Sequence, residues 1–255
     1  MEGTARYPSL QDKVVFVTGG ASGIGRSIVE HFHDQGSRVV FIDIDEKAGR
    51  ILSDELTAKG GHRPRFELCD LRDVNKLGAV IDRVGEEVGP ITVLVNNAGN
   101  DDRHSLEDVT PDYFDDRVSV NLKHQLFAAK HVRHQMKKAG GGSIVNFSSI
   151  TWMVADGDCV VYVTSKAAVV GLTRALATEL GGENIRVNAI APGWVMTERQ
   201  VSLWLDDKGE RQIEDRQALK ARLHSPDIAR MALFLGADDS RMCSKQTFIV
   251  DAGWI

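Results

Sequence analysis

Apolar positions along this chain follow two rhythms that take turns. Residues 13–17 (Lys-Val-Val-Phe-Val) are continuously apolar after the first, as in a strand buried on both faces of a parallel sheet. Beyond the glycines that follow, Ile24, Ile28 and Phe32 recur at helical spacing, and Gly36 marks the stop. The exchange then repeats. Residues 37–43 form a second strand, a helix spans 46–59 and stops at Gly60-Gly61, and a strand near 65–69 leads to a helix near 73–88 ending at Gly89-Pro90. Strand 91–95 precedes helices at 111–118 and 119–138, which Gly140-Gly141-Gly142 stops. Strand 143–148, a helix carrying Tyr162 and reaching Leu180, strand 185–190, a long polar segment, a helix near 226–236 and a strand near 246–250 follow. Strict alternation through two βαβαβ halves predicts an α/β fold. Its expected form is a single Rossmann-like domain over residues 1–255, a doubly wound parallel sheet of about seven strands with helices on both faces.

Composition changes this picture little. The 255 residues are 42% hydrophobic and 26% charged, which suits one large α/β domain. A formal net charge of -5 argues against a nucleic-acid or anionic-membrane partner. No apolar run approaches the ~18 residues of a membrane span, and the first ten residues lack the apolar core of a signal peptide. Cys69, Cys159 and Cys243 are widely spaced and imply no disulfide framework. The eight histidines match no zinc spacing, so no metal is expected. A cytoplasmic protein fits best.

Candidate chemistry begins at the first strand-to-helix turn, Thr18-Gly19-Gly20-Ala21-Ser22-Gly23-Ile24-Gly25. A glycine-rich turn there lets a pyrophosphate reach backbone N–H groups and the positive end of the helix dipole. The competing reading is a merely tight turn. Asp43 ends the second strand eighteen residues beyond Gly25. A carboxylate there accepts from ribose hydroxyls and repels a 2′-phosphate, which favours NAD over NADP; a solvated strand end is its rival.

Tyr162 and Lys166 share one helix face at i,i+4. A phenol titrates near pKa ~10, so service as a base at neutral pH needs a shift worth about 3–4 kcal/mol. One positive charge at ~4 Å in an effective dielectric of ~20 supplies about that much. Packing plus a solvated lysine is the commoner meaning of such a pair.

Taken together, these stretches resemble the short-chain dehydrogenase/reductase family. The matching residues are Thr18 to Gly25, Asn96-Asn97-Ala98-Gly99, Asn121, Ser149 thirteen residues before Tyr162, Lys166, and Asn188 to Gly193 with Thr197. The resemblance implies Tyr162 as acid/base, Lys166 on the nicotinamide ribose and lowering the tyrosine pKa, and Ser149 on the substrate oxygen. Asn121 would hold a helix irregularity and a water. Ser148 is the rival of Ser149. It further implies NAD contacts at Gly19, Ser22, Gly23, Ile24, Gly25, Asp43, Asn97, Ala98, Gly99, Pro192 and Gly193, an adenine clamp at Asp70 and Leu71, and carboxamide contacts at Val195 and Thr197. A homotetramer on the helices near 119–138 and 160–180 is usual for such proteins.

Substrate choice falls to the polar run Asn100-Asp101-Asp102-Arg103-His104 and to 194–224, which holds Trp194, Arg199, Gln200 and Trp204. Trp152 and Asp156 precede Tyr162. Polar groups with indole faces suit a polyhydroxylated sugar. These segments resemble bacterial aldose 1-dehydrogenases of the family, with Asn100, Trp152, Trp194 and Arg199 expected on the sugar besides Ser149 and Tyr162. Segment 194–224 is expected to act as a lid, with a helix over 210–223. A reductase of 3-oxoacyl or other small carbonyls is the runner-up, and a non-catalytic NAD sensor is the reading from another class.

Overall fold

A strand turns successive side chains to opposite faces, so continuous apolar runs form a sheet covered on both sides. The computed structural model describes residues 5–155 and 157–255. Strands β1 (Val14–Thr18), β2 (Arg38–Asp43), β3 (Arg65–Leu68), β4 (Ile91–Asn96), β5 (Gly142–Phe147), β6 (Ile185–Pro192) and β7 (Thr247–Val250) lie in the order β3-β2-β1-β4-β5-β6-β7. Every pairing is parallel. In β1, Val15 and Val17 enter one core layer while Val14 and Phe16 enter the other; β2 divides Val39 and Phe41 from Val40 and Ile42 in the same way.

Helices α1 (Gly23–Asp34), α2 (Glu46–Ala58), α3 (Val74–Glu87), α4 (Pro111–Val118), α5 (His124–Lys138), α6 (Val160–Leu180), α7 (Glu198–Leu203), α8 (Asp207–Arg216) and α9 (Ser225–Gly236) flank the sheet, with short 3-10 and π turns between them. Ile28 and Phe32 of α1, Leu52 and Leu56 of α2, and Ile228 and Leu233 of α9 fill the first layer. Leu77 and Ile81 of α3, Val132 of α5 and Leu176 of α6 fill the second. Full burial of each such side chain is worth about 1.5–3 kcal/mol. The chain order reverses between β1 and β4, and the strand ends there open the crevice in which such sheets bind ligands.

Two sequence expectations need revision. The polar segment holds α7 and α8, and residues beyond Arg216 leave the helix that was expected to reach 223. The cause is pairing elsewhere: the N–H groups of Ala218 and Leu219 donate to the carbonyls of Gly253 and Ala252, and Leu223 bridges to Val195. Residues Val160–Glu183 are, by length and composition, long and apolar enough to cross a membrane, contrary to the sequence reading. In the fold this helix packs on β6 and on the turn that precedes α5.

Glu183, just past α6, accepts from Arg133 Nε and Nη2 at 2.9 and 3.0 Å and from Lys137 Nζ at 3.0 Å, joining α6 to α5. Arg133, then Lys137, hold its carboxyl at about 2. A depressed carboxylate adds stability above its unfolded value of about 4.3, and that stability is lost as the pH falls through the folded value. Glu183→Gln is therefore expected to melt below the wild type at pH 7. In a pH series of melting curves the difference should close between about 4.3 and the folded value; a difference independent of pH would contradict this.

Candidate active site

The first turn places its backbone for an anion. Helix α1 starts at Gly23, and the side chain of Ser22 at its N-cap makes no capping bond, so the N–H groups of the first turn are left for another partner. A Cβ on Gly25 would lie 1.8 Å from the Gly19 carbonyl oxygen, so only glycine permits this close turn. Asn97 Nδ2 donates to the carbonyls of Thr18 and Gly19 at 3.1 and 3.0 Å, tying the end of β4 to the turn. Asp43 accepts from the N–H groups of Ala21, Ile44 and Asp45 at 2.9, 2.8 and 3.1 Å. Arg72 grips Asp70 with Nε and Nη2 and keeps its carboxyl below the usual range. All of the residues expected at the nucleotide line one cleft of about 1080 Å³. The uncapped helix start and the glycine cradle fit a dinucleotide pyrophosphate, and Asp43 fits its ribose.

At the other end of the cleft floor, Lys166 is 2% exposed and its Nζ donates to the Phe147 carbonyl at 2.9 Å. Burial pulls its pKa down to about 8. The ammonium lies 5.4 Å from the Tyr162 ring centroid. A Cβ on Gly99 would stand 3.0 Å from Nζ, so the lysine needs glycine opposite it. Burial, with the Asp101 carboxylate, pushes the Tyr162 phenol above its ordinary value, while a hydrogen bond with Ser149 pulls it down. In the chain by itself burial outweighs that hydrogen bond, so the expected lowering of the phenol pKa is not realised there.

Ser148 and Ser149 separate cleanly. Ser148 Oγ donates to the Lys166 carbonyl at 2.7 Å and accepts from the Trp152 indole at 3.2 Å, so it is spent on packing. Ser149 Oγ accepts from Thr151 N at 3.2 Å and meets Tyr162.

Asn121 lies in a π-helical turn, Ser119–Lys123, between α4 and α5. The wide turn frees carbonyls that the α pattern would use. Asn121 Nδ2 takes that of Arg117 at 3.0 Å, and Gln125 Nε2 takes that of Asn121 at 3.2 Å. Asn121 also clamps the backbone of Asn100, donating to its carbonyl at 3.0 Å and accepting its N–H at 2.8 Å. Asn121 is fully buried and stands behind the cleft wall.

Among the expected sugar contacts, Asn100, Ser149, Tyr162, Trp194 and Arg199 line the cleft. Trp152 does not: its indole is turned to Ser148. Asp156 lies outside the described residues. Arg199 is engaged, with Nη2 at 2.6 Å from Asp102 Oδ1, and Gln200 Nε2 donates to Asp101 Oδ2 at 2.6 Å. Sequence reasoning gave no separate role to Arg72, Asp101, Arg103 or Trp254, which also line the cleft. The signal for two of them was present in the dense charge of residues 100–104.

Fold and site together define a nucleotide-dependent oxidoreductase. The chain belongs to the short-chain dehydrogenase/reductase family, whose dehydrogenases use nicotinamide cofactors. A family model described as enoyl-(acyl carrier protein) reductase matches residues 19–255. A D-xylose 1-dehydrogenase of Caulobacter vibrioides is 46% identical over 251 residues, 98% of this chain and 99% of that one. A probable galactose dehydrogenase, GalD, of Rhizobium meliloti is 44% identical over 250 residues, 98% of each chain. The solved structure of a 7α-hydroxysteroid dehydrogenase complexed with NADH and 7-oxo glycochenodeoxycholic acid matches with a TM-score of 0.91 at 31% identity, covering 96% of each chain.

Gly25→Ala should close the cradle. In a fluorescence titration with NADH its affinity is expected to fall 10-fold or more, about 1.4 kcal/mol, with the far-ultraviolet circular dichroism retained. Wild-type affinity in that variant would remove the turn from the binding site.

Proposed function

We propose that this chain is an NAD-dependent dehydrogenase that oxidises the C1 hydroxyl of a free aldose, a pentose or 6-deoxyhexose, to the aldonolactone, with Tyr162 as base. The observation that carries the reading is the wall facing Tyr162 and Ser149, where Asn100, Asp101 and Arg199 stand beside tryptophan. Steroid or long-acyl alcohols call for an apolar wall; hydroxyls on a ring with C–H faces call for this one. The xylose and galactose specificities named for the two relatives support the same class.

In this reading Asp43 selects NAD by accepting from a ribose hydroxyl and repelling a 2′-phosphate. Oxidised nicotinamide supplies the hydride acceptor when bound. The chain's own residues handle the proton. Ser149 Oγ donates to the substrate oxygen and fixes it beside Tyr162 Oη, which takes the hydroxyl proton. Lys166, still mostly protonated at neutral pH with its pKa at about 8, favours the phenolate through its charge. Asn121 keeps the π turn open behind the lysine and holds the Asn100 backbone in place. A cytoplasmic homotetramer built on α5 and α6 belongs to the same proposal.

Tyr162→Phe is expected to lower kcat for aldose oxidation by 10³-fold or more while NADH still binds, on the order of 4 kcal/mol. Since Tyr162 is raised above the ordinary phenol value and Lys166 loses its charge at about 8, wild-type kcat/KM should climb as the pH rises from neutral and level off near that value. Substantial residual turnover in the variant would refute the role. An initial-rate panel of aldoses and simple alcohols, each with NAD and NADP, tests the class. Turnover of a pentose or 6-deoxyhexose with NAD is expected. Turnover of a steroid or acyl alcohol, with every aldose inert, would overturn it; so would tight NADH binding with no alcohol oxidised.

A further inference from the structure

Arg103 differs from the other arginines of the cleft. Arg199 is held by Asp101 and Asp102, Arg117 by Asp102 and Asp116, and Arg72 by Asp70 and Asp116. The Arg103 guanidinium makes no hydrogen bond among the described residues, and its nearest carboxylate oxygen, Asp158 Oδ2, is 4.0 Å away. It crosses instead to the 194–224 segment, where its Cζ lies 4.9 Å from the Trp204 ring centroid and 5.7 Å from that of Trp194. Two indole faces thus fix the cation in place and leave its five N–H donors unspent.

The tryptophans differ from the arginine in that their N–H groups are turned inward. Among the described residues the indole nitrogens of Trp194, Trp204 and Trp254 are all buried without an acceptor, and Trp254 packs on Trp194 with ring centroids 6.5 Å apart. Buried donors ordinarily have partners. The donors that face the cleft are those of Arg103, on a wall of tryptophan in a cleft that also holds Tyr162 and Ser149. Asp101, Asp102 and Asp158 stand close by, so an anionic occupant meets repulsion that a neutral one escapes. Hydroxyl oxygens accept from the arginine, hydroxyl protons go to the carboxylates, and the C–H face of a sugar ring lies on indole.

We propose that Arg103, held between Trp194 and Trp204, binds the hydroxyls of the sugar end remote from C1 and so determines which neutral aldose the enzyme accepts. This rests on the aldose reading above. It transfers to Arg103 the role expected of Arg199, whose guanidinium is occupied by Asp101 and Asp102.

The test compares wild type, Arg103→Ala and Arg103→Lys on the best aldose and on its analogues deoxygenated at one position at a time. Arg103→Ala should raise KM about 10- to 100-fold, the scale of a charge-assisted hydrogen bond, and more than it lowers kcat. It should also lose the penalty that the wild type shows for deoxygenation at one or more positions far from C1. Arg103→Lys, which keeps the charge without the fork, should recover only part of the affinity. Melting curves and NADH titration establish that the variants are folded with an intact nucleotide site. If the alanine variant does not fold, the lysine variant decides by the same two readouts. Wild-type KM together with undiminished deoxygenation penalties would overturn the inference and leave the aldose reading standing. Equal weakening toward every substrate, simple alcohols included, would make Arg103 a packing residue of the segment and overturn it too. Preference for a uronic acid over the neutral aldose would contradict the neutral-sugar assignment. A wild type that oxidises no aldose at all defeats the underlying reading and the inference with it.

Discussion

A buried ammonium constrains everything around it. Lys166 is 2% exposed, and burial draws its pKa to about 8. A fall of that size from the ordinary value near 10.4 corresponds to about 3 kcal/mol set against the charged form. The surroundings are arranged to tolerate it. The Phe147 carbonyl at the end of β5 accepts from Nζ, the Lys166 carbonyl is fastened by Ser148, and glycine at position 99 leaves room for the amine. The π turn at Ser119–Lys123 belongs to the same arrangement, because Asn121 repairs the broken helix pattern and anchors the Asn100 backbone in one set of hydrogen bonds. The charge is thereby kept beside Tyr162, where burial by itself would leave a neutral phenol.

The substrate end is governed by a different balance. Residues 100–103 and the first turns of 194–224 meet across the cleft as alternating charges, with Arg199 and Gln200 of α7 on Asp101 and Asp102 and Arg103 on the tryptophans. The C-terminal tail joins in, since the Asp251 carboxylate accepts from the N–H groups of Gly253 and Ile255 and sets Trp254 against Trp194. These pairs are partly exposed, so each contributes modestly to stability. Their larger effect is to fix which donors and acceptors remain for a ligand.

Much of the fold could be read from sequence because its signals are local. Continuous apolar runs, helical spacing and glycine stops placed the strands and helices, and their alternation pointed to the doubly wound parallel sheet that is observed, though not to its strand order. The candidate catalytic set was not legible from local spacing alone: Tyr162 and Lys166 share one helix face, a weak signal by itself, and the roles of this pair and the offset that favours Ser149 over Ser148 came from the family resemblance. The structure adds the reason, since Ser148 is consumed by Lys166 and Trp152. What escaped depends on partners distant along the chain. Nothing near Ala218 announces that its N–H will pair with Gly253, so the helix was drawn too long. Nothing near Trp152 shows its indole turning to Ser148, and nothing near Arg199 shows two aspartates waiting across the cleft. Composition told that residues 100–104 were polar; only the packing distinguishes the spent arginine from the unspent one.

The most direct measurement follows the C1 hydrogen. Wild-type protein incubated with NAD and a pentose deuterated at C1 should deliver the label to the nicotinamide of the product in one-to-one yield, with lactone appearing before any aldonate. Deuterium retained in the sugar product while NADH forms would place the oxidation at another carbon and contradict the account.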